Sequence, residues 1–331
     1  MAVVVVDFNG GDDVVASVDA LLATDWPRGR LRVVLVDNAS HDGSAARAAA
    51  LDPSRVQLVT APVNRGFGAG SMLGIATLKP DEAFVALVNP DAFVGPGWLA
   101  PLVEALQADE GLGAACSKLL LASDAVPPII NNAGALLRAD GYGIERGFGE
   151  PDRGQHDAPG ETFGWSGGCA LLRRAYLDDV GGLDERLFLY YEDTDLAWRG
   201  RLRGWRYAYV PSSVVRHRLG GSTGAGRGGA VHAHHSERNR LVVLAKLAPW
   251  RLALAQWARF PLSTLSYAVA ALRGRRDLAP AGVVGRRCHT FAGALGLLPH
   301  ALRERRRVRA RSTVADADII AAMTPVATRV W

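Results

Sequence analysis

The stretch "LYYEDTDLAWRGRLRGW", Leu189 to Trp205, sets Glu192, Asp193 and Asp195 within four positions and surrounds them with Tyr190, Tyr191 and Trp198. Carboxylates gathered beside aromatic rings are side chains of general acid–base chemistry. They serve a helix equally well. Asp193 is a good N-cap for a helix beginning at Thr194, acidic residues suit its first turn, and Asp195 and Arg199 stand four apart for an ion pair. What the rest of the chain brings to this stretch decides between a capped helix and a site.

"VNPDAFV", Val88 to Val94, places Asn89 and Asp91 two apart around a proline that stiffens the turn. Their oxygens suit a hard divalent cation held together with a diphosphate. "VVRHRLGGST" puts His217 between two arginines; a lone histidine near a strand end is usually structural, yet imidazole can complete a Mg2+ or Mn2+ site shared with Asp91, diphosphate and water. His232, His234 and His235 form a rival cluster that lacks carboxylates at useful spacing and reads as a solvated turn. In "VDNASHDGS", Asp37 closes a strand where its carboxylate can accept an N–H from a pyrimidine base, while the residues after it cap a helix. "NRGFGAGSMLG", Asn64 to Gly74, fails the dinucleotide spacing because Ser71 stands where the third glycine belongs. Its glycines instead let a helix N-terminus approach a phosphate or sugar oxygen.

The elements that must position these residues alternate through the first half. "VVVVDF", "RVVLVD", "VQLVTA" and "AFVALVN" are nearly continuous apolar runs, the mark of strands buried on both faces, and helical spacing follows each of them. The pattern predicts an α/β fold with a parallel sheet, whose ligands gather at the carboxyl ends of the strands. Polar residues fall at those ends: Phe8-Asn9, Asp37-Asn38, Asn64-Arg65 and Asn89-Pro90-Asp91. From about Leu120 to Glu161 a Gly/Pro-rich segment reads as irregular surface structure or a mobile loop. "FGWSGGCALLRR" is strand-like, "WRYAYVP" is a strand ending before "VVRHRLGGST", and "GGSTGAGRGGAV" reads as flexible.

The 331 residues suffice for a full core, and the three cysteines form no CxxC pair, so a disulfide framework or thiolate metal site is not expected and a reducing cytosol fits. The start, "MAVVVVDFNGG", reads as a first strand rather than a secretion signal. The net charge of +5 gathers late, in Arg273, Arg275, Arg276, Arg286, Arg287 and "RERRRVRARS". Such a tail suggests an anionic partner. No nucleic-acid-binding motif accompanies it, and the apolar "LVVLAKLAPWRLALAQWARFPLSTLSYAVAAL" before it is too interrupted by charge to span a membrane. Two readings stand: interfacial helices on an anionic lipid surface, or a helical pair packed on the catalytic domain or on a second copy of the chain.

In their order, "VVVVDFNGG", "VVLVDNASHDGS", "NRGFGAG", "VNPDAFV", "WSGGCALLRR", "GGLDERLFLYYEDTDLAWRGRLRGW" and "VVRHRLGGST" resemble inverting glycosyltransferase family 2, notably its rhamnosyltransferase-like branch, over about two thirds of the chain. The resemblance implies a GT-A fold: a mostly parallel central sheet flanked by helices, with a nucleotide-binding half over about 1–118 and an acceptor half over about 119–230. A helical, arginine-rich region over 231–331 would follow. It implies that Phe8, Asn9, Asp37 and Arg65 surround the nucleoside with Gly66 beside them, that Asn89 lies near the ribose, and that Asp91 and His217 hold the metal. Asp193 would be the catalytic base with Glu192 supporting it, Arg199 would hold the departing diphosphate, and Trp165, Gly167 and Gly168 would form the acceptor-side turn. Three positions depart from the pattern: Asp7 replaces the usual Thr, Met72 a common Asn, and Asn89 an acidic residue.

The implied activity is transfer of a sugar, L-rhamnose from a dTDP donor, to a hydroxyl of a glycan or lipid-linked acceptor in cell-envelope polysaccharide synthesis. It would use Mg2+ or Mn2+, in the cytoplasm or peripherally on the inner face of the membrane. Tyr190, Tyr191 and Trp198 would offer flat faces to sugar rings or belong to the core. A non-catalytic relative that binds nucleotide-sugar or glycan is the alternative.

Overall fold

The computed structural model of the chain describes residues 1–219, 229–275 and 277–327. Its first part runs β1 (Ala2–Asp7), α1 (Gly11–Leu22), β2 (Arg32–Asp37), α2 (Ser44–Ala49), β3 (Val56–Thr60), α3 (Gly66–Ile75), β4 (Phe84–Val88), β5 (Ala92–Val94), α4 (Leu99–Ala108) and β6 (Leu112–Leu121). There follow β7 (Ile130–Asn132), β8 (Ala135–Leu137), β9 (Gly143–Glu145), β10 (Gly160–Glu161), β11 (Cys169–Arg173), α5 (Arg174–Val180), α6 (Glu192–Leu202) and β12 (Arg206–His217). Four helices end the chain: α7 (Ala230–Leu247), α8 (Trp250–Leu272), α9 (Val283–Arg311) and α10 (Asp316–Ala321).

Among the described residues, ten strands share one sheet in the order β10-β12-β6-β11-β4-β1-β2-β3, with β5 beside β12 and β7 beside β6. The side formed by β4, β1, β2 and β3 is parallel, as the continuous apolar runs predict. Beyond β4 the sheet is mixed, because β11 runs antiparallel to both β4 and β6 while β12 runs parallel to β6. The carboxyl ends of β1, β4, β6 and β12 and the amino end of β11 therefore meet at one edge.

Two glycines fix α3 against that sheet. A Cβ on Gly70 would come within 2.6 Å of Val6 Cγ1, and one on Gly74 within 2.4 Å of Val4 Cγ1. The helix backbone rests directly on β1, which brings Gly66, its first residue, to the strand's carboxyl end.

Several sequence expectations need correction. The strand β6 was not foreseen, since "LGAACSKLLL" has the small residues of a helix; its burial on both faces makes it central. The Gly/Pro-rich segment holds β7, β8, β9 and β10, two of them pairing with the main sheet. β12 continues to His217 past an irregularity between Val210 and Val214, so the histidine is the last residue of a strand. α6 starts at Glu192 after Tyr191 in a left-handed conformation, so Asp193 is its second residue and not its N-cap. The three histidines after residue 231 lie in the first turns of α7, not in a turn. Of the stretch read as flexible, residues 220–228 lie outside the described residues.

The apolar run after Arg240 is two helices broken at Ala248-Pro249. Its first half is buried all round, Asn239 through Leu247, and packs with Ala294 and Ala301 of α9 against Trp198 and Leu202 of α6. The helical pair thus docks on the α/β body, with Trp198 in the core it forms. No described helix is long and apolar enough to cross a membrane.

Since the α3 backbone touches β1, Gly74→Val should destabilise the protein by about 1–3 kcal/mol in chemical denaturation; an unchanged midpoint would show that the helix can lift away.

Candidate active site

At the shared sheet edge lies a cavity of about 520 Å³. Phe8 enters it from the end of β1, Asn89 and Asp91 from the turn after β4, and Gly66 and Phe67 from the start of α3. Gly167 and Gly168 reach it from the turn before β11, Phe188 to Thr194 from the approach to α6, and His217 from the end of β12. The amide of Asn89 donates to the Gly168 carbonyl at 3.1 Å, which ties the turn after β4 to the turn before β11. Gly66 has φ +84°, and a Cβ there would stand 2.0 Å from the Phe188 carbonyl oxygen. The next amide, Phe67 N–H, donates to that same oxygen at 2.8 Å.

His217 and Asp91 are both buried, with Nε2 and Oδ1 3.0 Å apart. Asn131 Oδ1 lies 2.8 Å from His217 Nδ1; as an acceptor it takes the Nδ1 proton and leaves a lone pair on Nε2 in the neutral ring. Asn89 Nδ2 is 3.2 Å from the same Nε2. A carboxylate oxygen and an imidazole lone pair facing one point suit a divalent cation. Among the described residues no group of three or more His, Cys, Asp or Glu stands at metal-binding spacing, so the pair would need further ligands from diphosphate or water. The chemistry of the cavity wall agrees: no Lys or Arg of the described residues lines it. Among the described lining residues an incoming diphosphate would meet no ammonium or guanidinium countercharge, which a divalent cation would supply.

Asp193 lines the same cavity. Its Oδ2 accepts the Gly167 amide at 3.2 Å and its Oδ1 the Thr194 amide at 2.6 Å. Burial raises its pKa, against the lowering effect of those two amides. Glu192 is buried beside it, with Oε2 lacking any hydrogen-bond partner. Burial first, and then the Asp193 charge, push the Glu192 carboxyl up to about 8. The two adjacent carboxyls therefore hold one proton near neutral pH. It belongs on Glu192, whose Oε2 has no hydrogen-bond partner, while both oxygens of Asp193 accept backbone amides that stabilise its anion.

Not every residue expected here arrives. Arg199 is buried on another face of α6, about 120° round the axis and about 9 Å along it from Asp193. Its Nε donates to Asp195 Oδ2 at 2.8 Å, and its other nitrogens donate to the carbonyls of Val180 and Gly182 at 3.0 and 2.7 Å. With those donors spent outside the cavity, it does not reach a diphosphate there. Arg65 points away as well and pairs with Glu185 at 2.6 Å. Asn9, in a left-handed conformation, and Asp37 sit at the strand ends but do not line the cavity; each accepts an amide of the 40–41 loop. Trp165 is buried in the core behind the glycine turn. Tyr190 and Tyr191 both line the cavity, and the Tyr191 hydroxyl is tied to the backbone of Gly141 and Gly143.

Of the three departures, Asp7 has a structural explanation: its buried carboxylate accepts from the Gly10 amide and the Ser44 hydroxyl, joining the end of β1 to α1 and α2. Met72 packs on Gly182, and its sulfur accepts the Leu183 amide. Polar cavity residues missed by the sequence include Asn131, Asn132, Tyr142 and Glu145 and, from α7, Ser236 and Glu237, while His232, read as part of a solvated turn, also lines it. The "NN" pair in an otherwise apolar stretch was the one signal for Asn131. Ser236 and Glu237 gave none, because their place depends on how the C-terminal helices dock.

The fold is that of GT-A glycosyltransferases. It aligns with the structure of GalNAc-T7 with UDP, GalNAc and Mn2+ at a TM-score of 0.58 and 18% identity, covering 74% of this chain and 48% of that one. It also aligns with the mannosyltransferase PcManGT of Pyrobaculum calidifontis, in complex with GDP-Man and Mn2+, at 0.54 and 20%, covering 94% and 85%. The sequence matches Glycosyl transferase family 2 over residues 2–181 and Glycosyl transferase family group 2 over 144–304. It is 31% identical over 263 residues to the N-acetylglucosaminyl-diphospho-decaprenol L-rhamnosyltransferase of Mycobacterium tuberculosis, covering 74% of this chain and 84% of that protein. The chain belongs to glycosyltransferase family 2 and is a glycosyltransferase of rhamnosyltransferase-like type.

Glu192 gives the site a signature in stability. Its folded pKa is raised, so its contribution is fully present below about 4.5 and is lost as pH rises through about 8. The loss is up to about 1.4 kcal/mol per pH unit in that window. Glu192→Gln should therefore gain stability over the wild type progressively from pH 5 to 8 in thermal melts; parallel pH profiles would place the proton elsewhere.

Proposed function

We propose that this chain moves L-rhamnose from dTDP-L-rhamnose to a hydroxyl of a lipid-linked glycan, with inversion, and that Asp193 is the base. The observation that carries the reading is the placement of the amide-held Asp193 carboxylate in the same cavity as Asp91 and His217. The mycobacterial relative, whose name states an L-rhamnosyltransferase acting on a diphospho-decaprenol acceptor, supports the choice of sugar and acceptor class.

An acceptor hydroxyl is a weak nucleophile near neutral pH. As its oxygen attacks the anomeric carbon, the proton passes to Asp193, and the bond from that carbon to the diphosphate oxygen breaks with its electron pair leaving on the nucleotide. Attack opposite the leaving group inverts the centre in one displacement. Asp193 is poised for this because the Gly167 and Thr194 amides fix its two oxygens, while Glu192 carries the proton the pair retains. Asp91 and His217 would hold the divalent cation, which when bound supplies Lewis-acid stabilisation of the leaving diphosphate. Phe8 and Asn89 border the nucleoside side, and Tyr190 offers a ring face to the acceptor sugar.

The acceptor's lipid would lie at α8. Leu254, Leu262, Leu265, Val269 and Leu272 are exposed along this helix at helical spacing, with the exposed Arg251, Arg259 and Arg273 among them. Anionic lipid is the partner such a surface fits.

Asp193→Asn should lower transfer by at least about 100-fold while dTDP-sugar binding is kept; near wild-type transfer would remove the base assignment. Chelation should abolish transfer and Mn2+ or Mg2+ restore it, in a screen across dTDP-, UDP- and GDP-sugars. Full rate in chelator would contradict the metal. Leu262→Glu with Leu265→Glu should release the protein from phosphatidylglycerol vesicles in flotation, and unchanged partitioning would count against the lipid surface.

A further inference from the structure

A second cavity, of about 620 Å³, opens between residues 179–186 and the last turns of α9, and it shares no lining residue with the first. Its charge is the reverse of its neighbour's: seven arginine or lysine side chains line it against four carboxylates. Those carboxylates are divided between cations. Asp179 meets Arg203 and Arg311, each at 3.0 Å, and also accepts the Trp205 indole N–H at 2.9 Å. Asp184 meets Lys246 at 2.7 Å and His300 at 2.8 Å. Lys246 also lies 2.9 Å from buried Asp195, which Arg199 shares. Arg186 has no ion-pair partner among the described residues, and Arg307 meets Glu304 one turn back on its own helix.

We propose that this cavity binds a phosphate-bearing anion. A concave surface with unbalanced positive charge concentrates anions, and a phosphate group can accept paired N–H donors from arginine. The exposed pairs at the rim are weak enough for an incoming phosphate to take over their arginines. The buried Asp184–Lys246–Asp195–Arg199 cluster forms the fixed floor beneath them. Residues 182–186 line this cavity, and the same segment continues into Phe188 to Thr194 of the first. A bound anion would thus rest on the stretch of chain that ends in Glu192 and Asp193. The phosphate could be free or carried by a lipid headgroup.

The test is calorimetric titration of the full chain with inorganic diphosphate at low salt in EDTA, which removes metal-dependent binding at Asp91 and His217. Saturable binding that weakens with added salt is expected. Arg186→Ala with Arg307→Ala should weaken it at least tenfold without changing the thermal midpoint, and Asp91→Asn should leave it unaltered. A parallel arm compares phosphatidylglycerol with phosphatidylcholine vesicles. Binding of soluble diphosphate supports a free ligand, and binding of phosphatidylglycerol alone, lost in the double variant, supports a headgroup. The proposal is overturned if neither binds, if the double variant binds as the wild type does, or if Asp91→Asn abolishes diphosphate binding. The last result would move the anion to the first cavity and leave the glycosyltransferase reading intact.

Discussion

The site depends on the insertion of β11, antiparallel, between β4 and β6. Its register sets Cys169 opposite Val88, and the bond from the Asn89 amide to the Gly168 carbonyl continues that pairing one step past the strand. The glycine turn before β11 is thereby fixed beside the Asn89-Pro90-Asp91 turn. Gly168 has no room for a side chain, since a Cβ would stand 2.7 Å from Leu119 Cδ1. From this position the Gly167 amide reaches Asp193. A strand running the other way would put the glycine turn at the far edge, and the helix bearing the carboxylates would lose its link to the Asn89-Pro90-Asp91 turn.

The helix α6 is held from two sides with different chemistry. One side presents Glu192 and Asp193 to a cavity without lysine or arginine among the described residues, where burial raises both carboxyls. The other side buries Asp195 and Arg199 with Lys246 of α7, close to Asp184 and His300. Buried charges are tolerated only when paired, and removing one partner is strongly unfavourable. This cluster therefore fixes the position of α6 and fastens the C-terminal helices to it. Lys246, which interrupts an otherwise apolar run in the sequence, is the residue that makes the fastening specific.

The parallel side of the fold was legible because strands buried on both faces leave continuous apolar runs, and β1 to β4 fall within two residues of where those runs stand. The strand-end polar residues were legible for the same reason, and Phe8, Asn89 and Asp91 do meet in one cavity. What escaped depends on long-range packing. β6 was hidden because Gly, Ala and Cys carry little periodic signal. The roles of Asn131 and of the α7 residues arise from a docking that local pattern does not encode. Arg199 shows a further limit: a motif can place a residue on the right helix while its side chain points to another face, and here Asp195 four positions earlier claims it.

The central claim is that metal ligands and base line one donor cavity, and diffraction from crystals grown with dTDP and Mn2+ tests it most directly. An anomalous manganese peak between the Asp91 carboxylate and His217 Nε2, bridged to the diphosphate with Asp193 across the same cavity, is the predicted result. Manganese bound instead among the histidines of α7, or a diphosphate seated apart from Asp91, would contradict it.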